Sequence, residues 1–369
     1  MRTLPRISLV MLMACGSDPG PEGTPGLGDR DGGSSSGSVG DGSVVTPDGG
    51  SSADGAVSYA CQVASKCDAT PPVPAKQSWR HSVQSPIITA FAHRHRGRDL
   101  LLRPTDPAWV LGKFTYGTGV DKDLKDEDVK IYLDRGCGGK WEELGVATTT
   151  QDAAHATVED VADDGGQVYF QIPGKLPVGR HRIHMVVLGD LTTADQIIEV
   201  MPEGTKTFVT DVDGTLTTSE NVEFTSLLTG TLPEANPMSA DAAKALVAKG
   251  YRPIYLTARP AWLVERTREF VDVRGFPPGI IHTTLSVTGA LNGAAVTFKR
   301  DEINAFKAKG FAPTYAIGNR DSDAEAFTVT GVTPANCRLY QFTDATFGCK
   351  SFQSYSELVT EWNALPACK

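Results

Sequence analysis

Along the chain, the spacing of apolar positions changes several times. Residues 7–14 form a short apolar run between Arg2/Arg6 and Cys15. From residue 16 to about 56 large apolar side chains almost vanish, replaced by Gly, Ser, Asp and Pro. From residue 79 they return in short β-branched and aromatic runs, at 129–133, 167–172 and 181–188. Turn clusters such as Arg135-Gly136-Cys137-Gly138-Gly139 and Pro173-Gly174-Lys175 separate these runs, and long helical periodicity is missing. This pattern predicts a small antiparallel β-sandwich over 79–203.

Beyond residue 204 apolar strands alternate with helical segments. Phe208-Val209-Thr210 runs into Asp211-Val212-Asp213-Gly214-Thr215. Residues 241–250 have helical composition, rich in Ala and closed by Gly250. Residues 252–260 read as strand plus loop, 301–309 as helix, and 315–323 as an apolar strand ending in an oxygen-rich loop. Such alternation predicts an open parallel α/β sheet over 204–369, with ligands beyond the carboxyl ends of its strands. About 40 residues separate Thr215 from Thr257, and about 40 separate Thr257 from Lys299. Helices consume most of that length, which leaves no room for a large cap domain.

Composition refines this picture. A chain of 369 residues, 40% hydrophobic, is long enough for two domains with real cores. Its net charge of −9 excludes a general nucleic-acid binder. Residues 1–15 read as an export signal too short to span a bilayer. Leu12-Met13-Ala14-Cys15 resembles a bacterial lipobox, with Met13 where a small residue is usual. Cys15 is then the lipidated residue, and the alternative is a plain signal peptide. Residues 16–78 read as a Gly/Ser/Pro-rich tether, since they cannot bury enough surface to offset their ordering entropy. The expected protein is exported and lipid-anchored to a bacterial membrane, the outer one foremost. Setting Cys15 aside leaves six cysteines, an even number that suits disulfides outside the cytoplasm. The local pairings expected are Cys61 with Cys67 and Cys337 with Cys349. No Cys/His spacing indicates zinc. The basic cluster His93-Arg94-His95-Arg96-Gly97-Arg98 reads either as a solvated loop or as an anionic-lipid contact. His181 and His184, at odd spacing in a strand, read as structural.

Asp211 and Asp213 leave a strand end on one side, because i and i+2 point the same way. Gly214 permits the tight turn that follows, and a divalent cation would relieve the repulsion between the two carboxylates. The DxDGT sequence resembles motif I of the haloacid dehalogenase (HAD) phosphohydrolases. Gly112–Gly117, Pro177-Val178-Gly179, Met185–Asp190, Thr193-Ala194-Asp195 and Met201–Thr205 then lead into that strand. This succession resembles the C-terminal region of membrane-associated phosphatidylinositol transfer proteins, which is related to the phosphatidate phosphatases called lipins. The resemblance implies a HAD-like sheet and a catalytic set of Asp211 (nucleophile), Asp213 (general acid and base), Thr257 and Lys299. It implies Gly214, Thr215 and Arg259 near the substrate, and Asp211, Asp213, Asn319 and Asp323 around Mg²⁺, a hard cation that prefers oxygen ligands. The animal transfer proteins lack the nucleophile and use the domain to bind phosphatidic acid, whereas this chain keeps Asp211, Asp213 and Thr215, as lipins do. The function expected is Mg-dependent hydrolysis of phosphatidic acid or a related lipid phosphate through an aspartyl-phosphate. The alternatives are a phosphatidate-binding module without turnover and a nucleotide or sugar phosphatase.

Overall fold

Two of the apolar runs read from the sequence, 129–133 and 181–188, pair with each other in the computed structural model, which describes residues 59–117, 121–218 and 231–368. Arg2, Arg6, Cys15 and residues 16–56 lie outside the described residues. An N-terminal β-sandwich comprises a five-stranded and a three-stranded sheet. The larger runs in the order Leu100–Leu102, Thr193–Val200, Gly179–Val187, Asp128–Asp134, Trp141–Thr148. The smaller contains Arg96–Gly97, Trp109–Lys113 and Gln167–Gln171. Val129, Ile131 and Leu133 face Val187, Met185 and Ile183 across the ladder, and all six are buried in the core. Their spacing of two is what sends them to one face. His181 and His184 are structural: His181 Nδ1 accepts from Gly136 N at 3.0 Å, while His184 Nδ1 lies 2.9 Å from Asp195.

The sandwich is not wholly antiparallel. Leu100–Leu102 pairs parallel with Ile198–Val200. These leucines are all buried, as expected of an edge strand whose outer side is covered by the second half of the chain. The tether expected to reach residue 78 also stops short of it. Tyr59 Oη donates to Glu199, Arg182 donates to the carbonyls of Cys67 and Ala69, and Gln77 N donates to Leu188 O. Two further disulfides hold this stretch down: Cys61 bonds to Cys368 and Cys67 to Cys137. The expected Cys61–Cys67 bridge is therefore overturned, while Cys337–Cys349 is formed. Sequence proximity misled because residues 61–67 run along the surface of the fold, each cysteine meeting a partner from a distant element.

The second half is mixed α/β around a six-stranded parallel sheet, ordered Ile280–His282, Arg252–Leu256, Thr207–Thr210, Pro313–Gly318, Cys337–Tyr340, Lys350–Phe352. Phe208, Tyr255 and Ile317 point to one face, against Leu246, Phe270, Tyr355 and Trp362 of the flanking helices. Val209, Ile254, Leu256 and Ala316 point to the other, against Ile303, Phe306 and Phe327. Helices on both faces explain why these strands are continuously apolar in sequence. Thr207–Thr210 lies centrally, with a neighbour on each side, so Asp211 emerges mid-sheet.

Polar and apolar contacts join the halves. Leu101 and Met201 enter the core that contains Val209 and Ile303. Asp99, fully buried, accepts from Ile197 N, Ile281 N and both terminal nitrogens of Arg268. Its carbonyl accepts from His282 Nε2 at 2.8 Å, and His282 Nδ1 lies 2.6 Å from Glu302. Arg98 pairs with Glu302 and donates to Thr283 O. Part of the basic cluster faces inward: Arg96 is buried beside Asp121 and His95 is buried against Phe114 and Tyr116, while His93 is exposed and Arg94 half-buried.

Candidate active site

The central strand delivers Asp211 where its backbone N–H still donates to Ile317 O across the sheet. Gly214 then adopts φ +70°, a left-handed conformation that suits glycine, and its N–H donates to Thr217 Oγ1. The turn is fastened from behind. Asn236 Nδ2 and Tyr355 Oη both donate to the carbonyl of Thr215, at 2.6 and 2.8 Å. Neither residue was singled out from sequence. Asn236 carries no sequence signal. Tyr355 begins a helix whose capping box, Ser354 with Glu357, is legible.

A cavity of about 580 Å³ opens over the strand ends, and its wall includes Asp211, Asp213, Arg259, Lys299, Asn319 and Asp323. Lys299 Nζ donates to Asp211 Oδ1 at 2.6 Å and to Asp323 Oδ1 at 2.5 Å. Burial opposes the Lys299 charge, but these two carboxylates raise its pKa nonetheless. Burial pushes Asp211 up to about 7, with Asp323 and Asp213 adding to the effect and Lys299 opposing it. Lys299 lies within the helix Gly293–Ala308, not just before one as expected. The Ala-rich stretch ahead of residue 301 extends the helix backward by two turns, which the nearby Gly289 and Gly293 had obscured. The competing cations point elsewhere: Arg300 to Asp301, Lys307 to Thr330 O and Lys309 to Glu159.

Asp213 is clamped. Arg259 Nε and Nη2 reach both of its carboxylate oxygens at 2.8–3.0 Å, and Thr257 Oγ1 donates to Oδ2 at 2.8 Å. Arg259 is buried and also donates to Thr267 Oγ1. The structure therefore turns Arg259 and Thr257 toward Asp213, with Arg259 also on the cavity wall. Thr215, fully buried, donates its hydroxyl between Asp211 Oδ2 at 3.1 Å and Asn319 Oδ1 at 3.0 Å. Asp323 Oδ2 accepts from the N–H groups of Asn319 and Arg320, which caps the helix Asp321–Val329. Asp323 thus engages both oxygens, one on Lys299 and one on the backbone. Asp321, whose use was open, sits in the first turn of that helix, on the cavity wall.

Residues 93–200 match the family model described as PITM 1-3, beta-sandwich domain, and residues 208–339 match PITM 1-3, LNS2 domain. The chain is similar to membrane-associated phosphatidylinositol transfer protein 1 of Rattus norvegicus, 25% identical over 209 residues, covering 56% of this chain and 15% of that protein. It is similar also to membrane-associated phosphatidylinositol transfer protein 2 of Mus musculus, 28% identical over 215 residues, 58% of this chain and 15% of the relative. Protein retinal degeneration B of Drosophila melanogaster is 25% identical over 209 residues, again 56% of this chain and 15% of the relative. The chain thus spans about one-seventh of the length of these relatives. Among solved structures, a chain of the Pnkp1/Rnl/Hen1 complex aligns with 38% of this chain and 47% of its own length, at 16% identity and a TM-score of 0.31, too slight a likeness to bear on function.

Proposed function

We propose that the α/β half is a HAD-type, lipin-like phosphomonoesterase whose substrate is phosphatidic acid or a related lipid phosphate. The observation that carries this reading is buried Lys299 held between Asp211 and Asp323 on the wall of a cavity. That arrangement sets a buried nucleophilic oxygen beside a cation able to receive phosphoryl charge. The donors fit a hard divalent cation such as Mg²⁺. Asp211 Oδ2 and Asn319 Oδ1 converge on one Thr215 hydroxyl, whose single proton serves one oxygen at a time. Among the described residues no three His, Cys, Asp or Glu side chains gather as a metal site. The cation would therefore rest on Asp211, Asn319 and the Asp213 main-chain carbonyl, with Asp323 standing behind. When bound, it would supply Lewis-acid stabilisation of phosphoryl charge.

In this scheme Asp211 attacks phosphorus, the bond from phosphorus to the lipid oxygen breaks, and an aspartyl-phosphate forms. Asp213 gives the departing alkoxide a proton and then takes one from the water that cleaves the phosphoenzyme. Both tasks require Asp213 to leave the Arg259–Thr257 clamp, a movement that would free Arg259 and Thr257 for the substrate phosphoryl group. Relatives named as phosphatidylinositol transfer proteins keep a second reading in play, a lipid-binding module without turnover whose ligand is phosphatidate. Inorganic phosphate release from phosphatidate micelles with Mg²⁺, compared with soluble nucleotide and sugar phosphates, separates the readings. Release from the lipid in preference to soluble substrates is expected. Binding without release from any substrate would overturn catalysis in favour of the module, and preference for a nucleotide or sugar phosphate would overturn the lipid assignment.

A further inference from the structure

Residues 283–292 form a loop between the edge strand Ile280–His282 and the Lys299 helix, and it is rigidly fastened. Thr284 donates through N and Oγ1 to Arg259 O, Ala261 N donates to Ser286 O, and Ala290 N donates to Ala258 O. Trp262 Nε1 donates to Val287 O at 2.9 Å. Gly289 has φ +74°, and a Cβ there would lie 2.7 Å from Ala258 O. This well-bonded scaffold holds Leu285, Val287 and Leu291 in water at 46%, 50% and 80% exposure. Single exposed hydrophobes are ordinary. Here three belong to one short, hydrogen-bonded loop, Leu291 on the wall of the cavity over Asp211, Leu285 beside a second cavity of about 210 Å³, and Val287 between them in sequence.

The surface continues into the site. Leu291, Trp262 and Val296 line the same cavity as Lys299 and Asp211. Trp262 is half-buried, with its indole N–H satisfied and the Arg94 guanidinium 4.2 Å over its ring. Tryptophan in such a setting, apolar on one side and wet on the other, suits a membrane–water boundary. An occupant that covers Leu291 while placing a phosphate at Lys299 must be apolar beyond its phosphate. We infer that the 283–292 loop with Trp262 is a docking rim that inserts into a lipid bilayer and presents the cavity to a lipid phosphate in the membrane plane. The inference rests on the lipid-phosphate reading above, and its occupant is the bilayer surface.

The test uses the full-length chain carrying Cys15→Ser, so that no acyl group at that position anchors it. Flotation with phosphatidylcholine vesicles doped with phosphatidic acid is compared with hydrolysis of a soluble aryl phosphate. The double variant Leu285→Ser/Val287→Ser changes exposed side chains outside the cavity wall. It is expected to lose about 10-fold or more in vesicle partitioning and to keep its aryl phosphate rate. Equal flotation of the double variant, or no flotation of the parent, would overturn the docking rim and leave the catalytic reading intact. Loop-dependent dimerisation without vesicle binding would assign the surface to a second copy and overturn it as well. Loop-dependent flotation without hydrolysis of any substrate would support the rim and sink catalysis.

Discussion

Asp211 and Asp213 differ by two positions in sequence, yet their surroundings are opposite in kind. Asp211 is buried against a lysine, and Asp213 is gripped by an arginine fork. Asp211→Asn is expected to abolish turnover while binding of lipid phosphate persists or tightens, because a negative charge is removed. Asp213→Asn is expected to cost about 10²–10⁴-fold on phosphatidate, and less on an aryl phosphate, whose leaving group needs little protonation. Rate constants for both substrates decide this, and equal losses would remove Asp213 from proton transfer. Lys299→Ala tests a further consequence. It leaves two buried carboxylates unpaired, so a stability loss of about 3–5 kcal/mol is expected alongside the loss of activity, read from urea denaturation. The carboxylate pair and Asn319 were legible in the sequence, since strand ends leave a local pattern, whereas Lys299, inside a helix, was named only through the resemblance. The Arg259 clamp was not legible: Arg259 and Asp213 lie 46 positions apart, and nothing local says which way a guanidinium will turn.

At the scale of elements, the alternation of strands and helices was readable because a parallel sheet covered on both faces needs continuous apolar runs. The seam between the halves was hidden in polar residues that looked like loop. Its key contact is Glu302, three residues beyond Lys299 on the same helix. Burial works against its charge, but Arg98 and His282 hold its carboxyl at about 2, below the ordinary 4.5. A depressed carboxylate pKa contributes stability that is complete above the ordinary value and is lost as pH falls toward the folded one. The expected contribution is roughly 3 kcal/mol at neutral pH, lost as pH falls from about 4.5 to about 2. In Glu302→Gln, urea midpoints measured from neutral pH into acid should lose this part of their pH dependence. A variant as acid-sensitive as the parent would mean that the seam is held elsewhere. Because Arg98 comes from the sandwich and Lys299 from the α/β half, the seam also ties the sandwich to the position of Lys299.

For the whole molecule, the reading of residues 7–15 calls for lipid on Cys15 and a folded part outside the cytoplasm. Mass spectrometry of the mature N-terminus checks both, and an unmodified N-terminus would end the lipoprotein reading. The disulfides were the least legible feature, because pairing depends on which distant surfaces meet. Cys61–Cys368 matters most, since it joins residues 307 positions apart and so closes nearly the whole described fold into a ring. That clasp has a mechanical meaning. A pull applied ahead of residue 61 and behind residue 368 passes through one covalent bond and bypasses every sheet between them. In single-molecule stretching the oxidised protein should therefore release almost no length. The reduced protein should yield about 1000 Å of chain as it unravels, at about 3.4 Å per residue.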